Sequence, residues 1–84
     1  MANVILTAEA RQEFDALRAP IRGRVAALIE RLADWPQVSG VKALRGDMAG
    51  SFRMRTGDYR VIVQPRGNLV TITHIALRRD IYED

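Results

Sequence analysis

Apolar residues recur at helical spacing in the first part of this chain and alternate with polar ones in the last part. Asn3–Leu6 is a short apolar run of strand length. Thr7 follows as a helix N-cap, with Glu9 in the first turn, where the helix dipole favours an anion. Ala10, Phe14 and Leu17 then share one helical face and leave Arg11, Glu13, Asp15 and Arg18 to water, which predicts a helix from about Ala8 to Ala19. Pro20 closes that helix and opens a second, Pro20 to Asp34, because its missing amide hydrogen costs nothing at a helix start. Ile21, Val25, Leu28, Ile29 and Leu32 form its apolar stripe, and Trp35-Pro36 ends it, with Trp35 as an anchor at the helix end.

Val38 to Gly50 reads as a loop punctuated by Gly40, Gly46, Asp47 and Gly50 around a small apolar knot at Val41 and Leu44. From Ser51 the period changes to two. Ser51–Thr56 and Tyr59–Gln64 flank Gly57-Asp58, and Leu69–Ile75 follows Pro65-Arg66-Gly67-Asn68, so three strands form a β-meander. The order strand, helix, helix, three strands is that of an α+β fold. A small antiparallel or mixed sheet covered on one face by two N-terminal helices buries both helical stripes and one sheet face. The first strand either takes the sheet edge or pairs beside the last strand. With 84 residues the chain has material for one core, and a single domain spanning 1–84 is expected.

Composition removes several classes of chemistry. The absence of cysteine excludes disulfides, thiol catalysis and thiolate-held metals, and fits a reducing compartment. No run of about 18 apolar residues spans a bilayer, and the N-terminus lacks a basic segment followed by a long apolar stretch, so a soluble cytoplasmic protein without a membrane partner is expected. Hydrophobic residues at 48% and charged ones at 27% are those of a globular chain.

Charge is unevenly placed. Residues 1–40 balance Arg11, Arg18, Arg22, Arg24 and Arg31 against Glu9, Glu13, Asp15, Glu30 and Asp34. Residues 41–79 set Lys42, Arg45, Arg53, Arg55, Arg60, Arg66, Arg78 and Arg79 against only Asp47 and Asp58. All the basic residues except Lys42 are arginine, whose planar donor fork suits phosphate. A GC-rich coding sequence accounts for such a ratio but not for the placement.

Strand alternation puts Phe52 and Met54 toward the core and Arg53 and Arg55 on the other side. If Gly57-Asp58 is a two-residue hairpin tip, Thr56 pairs with Tyr59 and Arg55 lies opposite Arg60, so three arginines converge on one solvent-facing surface. Like charges directly opposed are destabilising unless an anion lies between them, which points to phosphate; the plainer reading is a solvated face on which the arginines splay apart. Arg78, Arg79 and Tyr82 follow the last strand, close enough to reach the rim of this face. His74, the single histidine, alternates with Val70 and Ile72 and reads as a hydrogen-bonded or partly buried imidazole. No metal-ligand spacing, phosphate loop or dinucleotide fingerprint is present, and no cofactor is expected.

Such a face suits RNA cleavage without metal or thiol, in which the 2′-hydroxyl attacks the adjacent phosphate. Arginines stabilise the phosphorane charge, but a guanidinium does not serve as a base. Leu44-Arg45-Gly46, Phe52-Arg53-Met54-Arg55, Gly57-Asp58-Tyr59-Arg60-Val61-Ile62-Val63 and Arg78-Arg79-Asp80-Ile81-Tyr82, together with the two helices, resemble the RelE/ParE superfamily of bacterial toxins from type II toxin–antitoxin modules. The ending Arg78-Arg79-Asp80-Ile81-Tyr82 looks more like the RelE branch. The resemblance implies a RelE-like fold and a toxin inhibited by a cognate antitoxin, often a DNA-binding protein encoded adjacently. On the RelE side it implies a ribosome-dependent endoribonuclease (mRNA interferase) that cuts A-site messenger; on the ParE side, a DNA gyrase inhibitor. A catalytically degenerate toxin that acts as an antitoxin-binding corepressor is the third possibility.

Carried over by motif, the catalytic positions fall on Arg53, Arg55, Arg60, Arg78 and Tyr82, with Arg45 and Arg79 as substrate-binding positions. Arg53 and Arg55 stand where the best-studied pattern has lysines, and Leu77 where many relatives have histidine. The general base is therefore unassigned, with His74 three residues before Leu77 as the nearby substitute.

Overall fold

The computed structural model describes residues 1–77. Strand β1 (Asn3–Leu6) leads through the Thr7 cap into helix α1 (Ala8–Asp15), where the Thr7 hydroxyl accepts the Ala10 amide at 3.0 Å. Helix α1 stops earlier than apolar spacing predicts, at a C-cap on Ala16, and α2 (Ala19–Arg31) follows with Pro20 in its first turn. A short 3₁₀ turn, Leu32–Asp34, completes the second helical stripe. The Trp35 ring then packs edge-on to Phe52, with centroids 5.2 Å apart, anchoring the helix end to the sheet as its position suggests.

The remaining strands are β2 (Lys42–Ala43), β3 (Phe52–Thr56), β4 (Tyr59–Arg66) and β5 (Leu69–Leu77). β2 replaces part of the expected loop. Two residues carry too little pattern to be read as a strand, and pairing with β3 creates this one. The five strands lie in the order β1-β5-β4-β3-β2, antiparallel except for β1, which runs parallel to β5 at the edge. The sheet is thus mixed, and the first strand both occupies an edge and sits beside the last strand.

Ala10, Val25, Leu28 and Leu32 from the helical layer, with Leu17 from the connection between the two helices, close over Met54, Val61, Val63, Val70, Ile72 and Ile75 to form the core. Beyond Ile72, where β1 ends, α1 covers the exposed edge of β5. The Ile75 N–H donates to Glu13 Oε1 at 2.9 Å and the Thr7 hydroxyl to the Thr73 carbonyl at 3.5 Å. Edge amides that would otherwise template aggregation are thereby occupied.

The β3–β4 hairpin turns at Gly57-Asp58, and only Gly57 of the two has positive φ, at 58°. Every side chain but hydrogen is strained there, so Gly57→Ala is expected to cost about 1–2 kcal/mol in urea unfolding. An unchanged midpoint would show that the turn does not hold the register.

Candidate functional site

The hairpin register sets the arginine face. Thr56 pairs with Tyr59, Arg55 with Arg60, and Arg53 with Ile62. Residues paired across strands project to the same side. Two rows therefore run across the sheet on the side away from the helices. One reads Lys42, Arg53, Ile62, His74, and the next Arg55, Arg60, Ala76.

Sequence alternation placed the three arginines on one face, and the structure brings them together there. It corrects their surroundings: only Arg55 is exposed, while Arg53 and Arg60 are 9% and 6% exposed. The face is not bare. Ile62, which lies between Arg53 and His74 in its row, is fully buried, and Leu44 is buried outside the helix-side core. Long arginine stems cover apolar ground of this kind, and both buried guanidinium groups are engaged in interactions.

Arg55 and Arg60 remain like charges in direct register. Replacing exposed Arg55 by threonine is expected to raise stability by about 0.2–1 kcal/mol, read from the urea midpoint. A fall instead would mean that Arg55 is held by attraction.

Arg45, one residue beyond Leu44, is exposed and opens the 3₁₀ turn Gly46–Met48 on the β2 side of the sheet. Arg78, Arg79 and Tyr82 lie outside the described residues. Among the described residues no cluster of histidines and carboxylates gathers that would hold a metal ion. No helix among them is long and apolar enough to cross a membrane.

His74 is the functional candidate that alternation misplaced. A bulge where β4 passes from Ile62 to Val63 pairs Ile62 with His74 and Val63 with Ile72, leaving Thr73 as the extra residue. The parity of β5 switches there, so His74 leaves the side of Val70 and Ile72 and joins the arginine rows. The sequence carries a trace of this. Val70 and Ile72 are two apart, but the next core residue, Ile75, is three further on.

A cleft of about 320 Å³ separates α2 from the hairpin tip, lined by Arg18, Ile21, Arg24, Thr56, Gly57, Asp58, Tyr59 and Leu77. Arg18, which reads from sequence as a solvated helix position, and Arg24 form its basic wall.

A family model described as ParE toxin of type II toxin–antitoxin system, parDE, matches residues 4–82. The chain belongs to this family. Among solved structures, this ParE-family toxin resembles a chain of the toxin–antitoxin complex RelBE2 from Mycobacterium tuberculosis, with TM-score 0.80 and 28% identity over 92% of this chain and 98% of that one. The isolated E. coli RelE toxin superposes with TM-score 0.78 at 17% identity, covering 92% of this chain and 84% of that one. The YoeB/ParE toxin from Agrobacterium tumefaciens gives 0.76 at 19% identity, over 89% and 96%. The last two share the fold. No curated protein matches the sequence. The chain is a type II toxin of the RelE/ParE superfamily, and the predicted RelE-like arrangement of two helices on a mixed sheet is its fold.

Proposed function

We propose that this ParE-family toxin is a ribosome-dependent endoribonuclease that cuts messenger RNA in the A site by attack of a 2′-hydroxyl on its own 3′-phosphate. The observation that carries the reading is the direct register of Arg55 with Arg60, flanked by Arg53 on the same face. Cations opposed across a ladder are costly alone and productive when a phosphate with developing charge lies over them. Arg53, Arg55 and Arg60 act as charge stabilisers and Arg45 as a contact to the messenger backbone. Arg78, Arg79 and Tyr82 complete the proposal from their motif, with the phenol stacking or handling a proton. The likeness to a chain of the RelBE2 complex supports the RelE side.

The partner that restrains it is a cognate antitoxin contributing an amphipathic helix and an acidic segment, since such a chain covers apolar surface and pairs the arginines together. The RelBE2 structure is itself a toxin–antitoxin complex. Separate elution of this toxin and the product of the adjacent small gene would contradict that partnership.

Gyrase inhibition is the second reading, favoured by one observation: the matching family model is that of ParE. The purified toxin distinguishes the two. Ribosome-dependent messenger cleavage with unchanged DNA supercoiling is expected. Inhibited supercoiling without cleavage would establish the alternative, and neither effect would leave an antitoxin-binding corepressor.

A further inference from the structure

We propose that His74 is the proton acceptor of the arginine face and that Glu9 is its positioning residue, an inference that rests on the endoribonuclease reading. The arginines leave a chemical gap that only another side chain fills. They stabilise charge, yet each stays protonated at any working pH, so none takes a proton from a 2′-hydroxyl. Histidine is the side chain that exchanges a proton near neutrality. This chain has one, and the β5 bulge turns it onto the face where it is needed.

The placement follows from the ladder. Arg53, Ile62 and His74 occupy consecutive strands of one row. Strand spacing sets Arg53 and His74 about 10 Å apart across the buried Ile62 floor. Arg60 is the diagonal neighbour of His74, one row away and within reach of a long side chain. His74 therefore shares its row with one arginine and lies diagonal to a second, which puts an imidazole at the margin of the cationic face.

The His74 side chain is 43% exposed, open to a substrate, whereas Arg53 and Arg60 are buried. Its Nδ1 faces Glu9 Oε2 at 3.9 Å, so the carboxylate sits on the Nδ1 side of the ring, and Nε2 is the nitrogen assigned to the 2′-hydroxyl. The backbone on either side is fixed. The Thr73 hydroxyl donates to the Ile62 carbonyl at 3.3 Å, and the Ile75 N–H donates to Glu13. A bulge tied down in this way aims a side chain.

The step balances without a further reactant. Nε2 of His74 takes the 2′-hydroxyl proton as the O2′–P bond forms and the P–O5′ bond breaks. The departing 5′-oxygen takes a proton from water, and the imidazolium returns its proton to solvent. The products are a 2′,3′-cyclic phosphate and a 5′-hydroxyl. Among the described residues, the charged groups placed around the imidazole are Glu9 at 3.9 Å, Glu13 on the neighbouring Ile75 amide and, across the sheet, Arg60 and Arg53.

The test uses the whole toxin with ribosomes holding a defined messenger, and follows cleavage from about pH 5 to about pH 9. His74→Gln is expected to lower kcat by about 10²–10⁴-fold and to abolish the acid limb of the wild-type profile. His74→Asn should do the same, and serves if glutamine lowers the melting temperature. Glu9→Gln should lower kcat by about tenfold or less with KM unchanged, and Glu9→Asp should restore part of it. Wild-type cleavage matched by a folded His74 variant, or an acid limb that survives the substitution, would overturn the role of His74 while leaving the endoribonuclease reading intact. No cleavage by the wild type would overturn that reading itself.

Discussion

Arg60→Ala is expected to lower the rate of messenger cleavage by about 10²–10³-fold, the usual consequence of removing one preorganised donor from a developing negative charge. Arg60 lies directly across from Arg55 on one side and Ala76 on the other, so its stem is held between two strands rather than reaching freely into solvent. At 6% exposure its charge acts where water competes least. A lysine in its place keeps the charge but loses the planar fork, so Arg60→Lys should recover only part of the rate. Burial also gives Arg60 a packing role, and a melting curve separates the two contributions. If the rate falls only as far as the folded fraction falls, Arg60 serves the fold and not the reaction.

The second large effect is on stability. Leu32 is fully buried where α2 passes into its 3₁₀ turn, and its carbonyl accepts the Trp35 amide at 3.0 Å. The next residue, Ala33, accepts the Ala2 amide at 2.9 Å, so this corner ties the helical layer to the start of β1. Leu32→Ala is expected to cost about 2–5 kcal/mol, from lost transfer energy and the cavity left behind. A domain of 84 residues holds roughly 4–13 kcal/mol in total, which places the variant close to unfolding. Leu32→Met, which nearly conserves volume, should cost less than about 1.5 kcal/mol. Urea midpoints measure both. A shift of Leu32→Ala no larger than that of Leu32→Met would show that the corner is loosely packed.

How far each feature was legible depended on whether its cause was local. Thr7 caps α1 and Pro20 starts α2 because caps and proline act within one turn of chain. The pairing of Arg55 with Arg60 was readable because a two-residue turn at Gly57-Asp58 admits that register. The burial of Arg53 and Arg60 was not, since it depends on what lies over Ile62 and Leu44, and alternation reports only the side of a sheet. The place of His74 failed for a related reason. An extra residue at Thr73 reverses the two faces from that point on, and pairing with β4 creates it. Its trace, the three-residue step from Ile72 to Ile75, becomes informative once a bulge is considered. Parallel pairing of β1 with β5 and the two-residue β2 likewise depend on distant partners.

The central claim is that the arginine face handles messenger phosphate on the ribosome. Mapping messenger ends after adding the purified toxin, without antitoxin, to translating ribosomes tests it most directly. Discrete cuts within the A-site codon, ending in 2′,3′-cyclic phosphate and absent with Arg60→Ala, are the predicted result. Intact messenger in the same reaction, with gyrase supercoiling blocked by the same preparation, would contradict it.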